Sequence, residues 1–260
     1  MKKSVALLSG LSMAALTSMI VSASAADVMV EESAFEGFYF GAHGGYAWGD
    51  SEIDYTGNYD TSVSLNGPPR PGDGGPIDGT ASVSSEGALI GAQLGANFVA
   101  GNGFLIGAEV SASWGAIAGD EIFDDGDVTV NVEQNISALG LAQAKLGWAH
   151  DRFAIYGLGG LAIGQVETSA SLGAGAGFPL DITLDDDRTM TGWTLGAGAD
   201  FMVTENVSLG LTYNYIDLGD YDTSYTVNEN YFLFFNVFGE IDTNTSVNMH
   251  VVKATLNYNF

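Results

Sequence analysis

The chain has 260 residues, 46% of them hydrophobic and 15% charged, with 36 Gly, no Cys and a formal net charge of −25. That charge excludes a nucleic-acid partner, because phosphate binding needs clustered Lys and Arg. The apolar fraction excludes a disordered chain, and the lack of Cys excludes disulfides as a source of stability.

The start is expected to be a secretory signal peptide over residues 1–25. Met1-Lys2-Lys3 is basic, Val5 to Val21 is mostly apolar and small, and Ala23-Ser24-Ala25 fits a small-x-small cleavage site. A membrane-anchoring first helix is the alternative. Without Lys2 and Lys3 the remaining chain is more acidic still, with Arg70, Lys145, Arg152, Arg188 and Lys253 as its fixed cations. Residues 26–36 form a short acidic lead-in, expected to be periplasmic. No later stretch reaches 18 consecutive apolar residues, so no spanning helix is expected.

From Gly37 the dominant signal is a period of two. Strand 1 runs about Gly37 to Gly49, with Phe38, Phe40, Ala42, Gly44, Tyr46 and Trp48 on one face. A loop is expected over about 50–85, because Pro68, Pro69, Pro71 and Pro76 amid glycines should keep that segment out of a ladder. Strand 2 (about Glu86 to Val99) and strand 3 (about Phe104 to Ile117) flank Asn102-Gly103, a hairpin signal. A second loop is expected over about 118–133. Strand 4 (about Gln134 to Ala149) and strand 5 (about Phe153 to Thr168) flank His150-Asp151-Arg152; strand 5 has the weakest alternation, both faces being rather apolar. A third loop is expected over about 169–188. Strand 6 (about Thr189 to Val203) and strand 7 (about Val207 to Gly219) meet at Thr204-Glu205-Asn206, and a fourth loop is expected over about 220–245. Strand 8, Ser246 to Phe260, sets Val252, Ala254, Leu256, Tyr258 and Phe260 against Lys253, Thr255, Asn257 and Asn259.

Eight strands with short and long connections in alternation predict an all-β fold: an eight-stranded antiparallel transmembrane up-and-down β-barrel over residues 37–260, with the long loops external. The aromatics decide between this and a soluble barrel with an apolar interior. On the outward face, the short-turn ends carry Phe38, Phe40, Phe98, Phe104, Trp148, Phe153, Phe201, Tyr258 and Phe260. The long-loop ends carry Tyr46, Trp48, Trp114, Trp193, Tyr213 and Tyr215, with Ala, Leu, Ile, Val and Gly between the two groups. Two aromatic belts around an aliphatic band suit the two bilayer interfaces. The other face carries Gln93, Asn97, Glu109, Gln143, Lys145, Asp200 and Lys253. A charge at the bilayer midplane costs roughly 2–4 kcal/mol for Lys or Arg, so these point inward. Glu109, Lys145, Asp200 and Lys253, with Gln93 and Asn97, are the candidate interior polar network.

Other signals are weaker. Gly157-x-Gly159-x-x-Ala162 imitates a dinucleotide fingerprint but lies inside a strand with no helix after it. His43, His150 and His250 have no metal-ligand spacing, and no cofactor is expected. His250 near Asp220 or Ser246 would suit a rim-sited hydrolase; an interfacial His is the ordinary reading. Asp120, Glu121, Asp124, Asp125, Asp127 and Asp185 to Asp187 lack the spacing of a Ca²⁺ loop and read as a solvated surface. Tyr231, Phe232, Leu233, Phe234, Phe235 and Phe238 form an apolar segment in the fourth loop. It reads either as a continuation of strands 7 and 8 that packs on itself, or as a contact site for a host or envelope protein.

Several stretches together resemble the small proteobacterial outer-membrane β-barrels of the porin-like, OmpA-like surface-antigen family. They are Gly37 to Tyr46, Ile90-Gly91-Ala92-Gln93 through Asn97-Phe98, Gly107-Ala108-Glu109, Lys145 to Ala149, Gly159 to Ala162, Gly192 to Gly198, Tyr213-Asn214-Tyr215 and Leu256 to Phe260. The resemblance implies location in the outer membrane of a Gram-negative bacterium, with outer-membrane lipid around the barrel. It also implies that Phe260, with Tyr258, belongs to the signal read by the barrel-assembly machinery. The chain departs from the family at Gln143 and Asn257, near which Arg is common. The expected function is a structural and surface-interaction role, with no catalysis; the alternative is a narrow, cation-preferring, porin-like channel.

Overall fold

The computed structural model describes residues 33–63, 70–124, 128–174, 181–231 and 235–260. The expected signal peptide and residues 26–32 of the lead-in lie outside the described residues. Eight strands follow in order: β1 (Gly37–Val63), β2 (Arg70–Val99), β3 (Phe104–Asp124), β4 (Val128–His150), β5 (Phe153–Ala174), β6 (Asp181–Met202), β7 (Val207–Tyr231) and β8 (Phe235–Asn259). Each pairs antiparallel with the next, and β1 closes on β8, so the sheet is a closed barrel. Closure removes the edges that an open sheet would leave inside a bilayer.

Tight turns join β2 to β3, β4 to β5 and β6 to β7. The first is held by Ala100 N–H to Phe104 O (2.8 Å), the third by Val203 N–H to Val207 O (2.8 Å). The outward faces carry the two aromatic belts. Phe38, Phe98, Trp148, Phe153, Phe201 and Phe260 are exposed at the short-turn end, and Tyr46, Trp48, Trp114, Trp193 and Tyr213 toward the other. Neighbouring strands bring their rings together, as in Phe104 on Trp148 (5.5 Å between centroids) and Trp193 on Tyr215 (5.4 Å). Leu94, Ile106, Leu146, Ile155, Leu161, Leu195, Leu211 and Leu256 are exposed between the belts.

The loop expectations over 50–85, 118–133, 169–188 and 220–245 need correction. The ladders continue through most of these segments: β1 pairs with β2 up to Val63↔Arg70, and β8 with β7 from Tyr231↔Phe235. A period of two is visible only where one strand face meets lipid and the other does not. Beyond the apolar band both faces can be polar, so the pattern vanishes while backbone pairing persists. Pro71 and Pro76, expected to stay out of a ladder, pair with Ser62 and Asn58. Among the described residues β2 has no pairing with β3 at that height, their ladder ending at Glu86↔Ala118, and an edge strand tolerates a missing N–H.

Candidate functional site: the barrel interior and the long hairpins

The inward side chains form three storeys. At the short-turn end Phe35, counted with the lead-in by sequence, is buried against Val99, Leu105, Ala149, Ala154 and Met202. The middle storey is polar. Above it lies a second apolar layer of Ala47, Leu89, Ile117, Ile136, Leu139, Leu141, Ala162, Val166, Met190, Ile216, Leu218, Val247, Met249 and Val251. All eight strands contribute to that layer. Sequence reasoning missed it, because alternation reports which face a residue takes and not what the inner face is made of. The signal is present in β8, whose inward residues change from Asn257, Thr255 and Lys253 to Val251, Met249 and Val247.

The middle storey brings together some of the expected network. Lys145 Nζ lies 2.7 Å from a Glu109 carboxylate oxygen and donates to the Tyr39 hydroxyl at 2.6 Å. It also sits over the rings of Tyr39 (4.7 Å) and Tyr156 (4.5 Å). The Tyr39 hydroxyl donates to Glu109 at 2.6 Å and the Tyr156 hydroxyl to Asp200 at 3.0 Å. Glu109, Lys145 and Asp200 thus belong to one cluster, with two tyrosines that the sequence did not single out. Glycine makes room for both rings: a Cβ on Gly95 would overlap the Tyr39 hydroxyl, and one on Gly198 would lie 2.6 Å from the Tyr156 ring.

The other expected members lie outside that cluster. Gln93 donates to Asn257 Oδ1 at 2.7 Å and pairs with His43 Nδ1 at 3.0 Å, while His43 Nε2 pairs with Ser113 at 2.8 Å. Gln143 donates to Asn214 Oδ1 at 2.7 Å. Asn97 donates to the Phe35 carbonyl (3.3 Å), at the floor and away from the charges. Lys253, 1% exposed, has no hydrogen-bond partner for its Nζ among the described residues.

His250 stacks with Trp48 (5.6 Å) and shares a hydrogen bond with the Tyr213 hydroxyl at 2.8 Å, so it belongs to the upper aromatic belt. Asp220 and Ser246 pair with each other further up the β7–β8 ladder. Tyr258 and Phe260 are exposed on the short-turn belt, in contact with Phe40. Of the apolar segment in the fourth hairpin, Phe232, Leu233 and Phe234 lie outside the described residues; for Tyr231, Phe235 and Phe238 only the backbone is described.

A closed eight-stranded barrel with an apolar belted exterior and a filled interior defines the class: an integral outer-membrane β-barrel. The model of the outer membrane protein beta-barrel domain family matches residues 11–260, and the chain belongs to that family. It is 31% identical over 256 residues to the 31 kDa outer-membrane immunogenic protein of Brucella melitensis, covering 92% of this chain and 94% of that protein. Over 107 residues it is 34% identical to the 22 kDa outer membrane protein of Rhizobium leguminosarum bv. viciae, covering 40% of this chain and 43% of that one. Among solved structures, the outer membrane protein OprG from Pseudomonas aeruginosa aligns with 16% identity and a TM-score of 0.44, over 86% of this chain and 96% of that chain. Family membership and the Brucella relative make the chain an outer-membrane protein of a Gram-negative bacterium.

Proposed function

We propose that the chain is a structural and surface-interaction protein, anchored by its barrel and displaying its four long hairpins outside the cell. The observation that carries this reading is the filled interior, in which an apolar layer drawn from all eight strands lies above the polar storey. An eight-stranded barrel is just wide enough for side chains to fill it. An apolar constriction also opposes hydrated ions, which weighs against the cation-preferring channel that the net charge and polar storey would otherwise favour. The immunogenic character named for the Brucella relative supports surface display. The hairpin lengths support the same orientation, since outer-membrane barrels have short periplasmic turns and long external loops.

Tyr258 and Phe260, exposed at the short-turn rim, are the side chains this reading offers to the barrel-assembly machinery, with outer-membrane lipid around the belts. The reading includes no cofactor and no catalysis. The hydrolase alternative ranks last, since the hydroxyl partner of His250 is Tyr213, a belt residue. Planar-bilayer recording of the refolded protein tests the choice. The expected result is no steady single-channel steps, and steps that reverse with a cation gradient would establish the channel instead.

A further inference from the structure

Above the apolar band the barrel divides. The β2–β3 ladder ends at Glu86↔Ala118 and the β6–β7 ladder at Trp193↔Asp217. The β1–β2, β1–β8 and β7–β8 ladders continue on one side, and β3–β4, β4–β5 and β5–β6 on the other. Two four-stranded sheets result, β2-β1-β8-β7 and β3-β4-β5-β6, each with two edges that are unpaired among the described residues.

These edges differ in how they are protected. That of β2 carries Pro71 and Pro76, which break a row of donors. That of β3 extends only from Gly119 to Asp124 beyond the last pair, and that of β6 holds the run Asp185-Asp186-Asp187. The β7 edge runs to Tyr231 without proline and includes Tyr221, Thr223, Tyr225, Thr226 and Val227, residues that favour strands. Its separation from β6 has a local cause. The β7–β8 register shifts between Asp217 and Asp220, Gly219 takes φ +77°, and its N–H donates to Asp217 Oδ1 at 2.8 Å. Such a bulge bends a strand and ends its pairing. Arg188 of β6 lies over the Tyr221 ring at 4.9 Å and closes the base of the gap, leaving β7 open from Asp222 upward.

We propose that this edge of β7 takes up an extended segment of another protein as an added strand, one with Lys or Arg at alternate positions. The proposal rests on the surface-interaction reading and specifies its partner. An added strand would satisfy the unpaired backbone groups and set its side chains about 5 Å from those of β7. On the outward face of the open stretch these begin with the exposed Asp222 and Ser224, with the exposed Asp220 just below, at the base of the gap. Asp222 accepts from Asn244 Nδ2 at 2.9 Å, and Ser224 donates to the exposed Asp242 of β8 at 2.5 Å, which puts a second carboxylate beside the open stretch. Opposite charges across a strand pair are favourable, and like charges are not. A second copy of this chain, at net charge −25, would bring the same carboxylates to the contact. A cationic strand fits and a self-pair does not.

The test uses the full-length barrel in nanodiscs and three fluorescent peptide probes: alternating Lys–Thr, a block peptide of the same composition, and alternating Lys–Pro of equal charge. The Lys–Thr peptide is expected to bind about tenfold or more tightly than the other two, because only it can pair along its backbone with all its cations on one face. The double variant Asp220→Lys, Asp222→Lys should weaken it by about tenfold, whereas Glu52→Lys, Asp54→Lys, an equal charge change on β1 with β8 between, should cost about threefold or less. Heat-modifiable gel mobility confirms that each variant folds. Equal binding of the Lys–Pro peptide, or equal losses from the two double variants, overturns the proposal. On whole cells, adhesion that needs the chain but survives the β7 variant overturns the edge and leaves the surface reading standing; adhesion unchanged in cells lacking the chain overturns both.

Discussion

Lys145 and Lys253 are both buried in the same storey, and their surroundings differ. Lys145 has a carboxylate, a hydroxyl and two ring faces. Removing one partner of a buried ion pair leaves the other charge uncompensated, at about 3–5 kcal/mol. Lys145→Met should therefore lower stability by about that amount, read as the urea midpoint for loss of heat-modifiable mobility. Lys253 Nζ has no hydrogen-bond partner among the described residues, and the charge of Glu109 offsets its desolvation only in part. Lys253→Met should stay within about 1 kcal/mol of the parent protein or exceed it. Equal losses at the two positions would refute the distinction. Both lysines were legible in the sequence as inward charges. Their different partners were not, since Tyr39, Glu109, Lys145 and Tyr156 come from four different strands.

For a strand, the decisive property is which face meets lipid. On β6, Trp193, Leu195, Ala197 and Phe201 are exposed, whereas Thr194, Asp200 and Met202 are buried. Ala197 lies midway between the belts, so Ala197→Arg should destabilise the inserted barrel by about 2–4 kcal/mol, measured by the same midpoint. Loss smaller than that of a Lys placed at exposed Glu205 in the β6–β7 turn would contradict the assigned face. This level was read correctly from sequence, because a one-residue slip would expose every charge of the inner face to lipid at once. Strand length was not. β1 is 27 residues long and β2 is 30, well beyond the segments that alternate.

For the whole molecule, the proposed non-conducting reading makes the upper apolar layer the barrier. Leu139, Ile216 and Met249 come from three strands of the upper apolar layer and are all buried. Replacing all three with Ser should remove the apolar constriction. The triple variant is then expected to conduct in planar bilayers and the parent to stay silent, provided the variant retains heat-modifiable mobility. A silent, folded triple variant would place the barrier in another storey.

By itself the sequence determined the strand count, the outward face, the belts and the inward placement of Glu109, Lys145, Asp200 and Lys253. Each of these follows from a local period of two set against a bilayer, and local patterns survive in one dimension. Only the tertiary structure decided the rest: the Tyr39–Glu109–Lys145–Tyr156–Asp200 cluster, Phe35 at the floor, the apolar layer above, and the division of the barrel into two sheets. Those depend on which residues reach the same height on different strands. That height is set by barrel register and by the bulge at Asp217–Asp220, neither of which leaves a period in the chain.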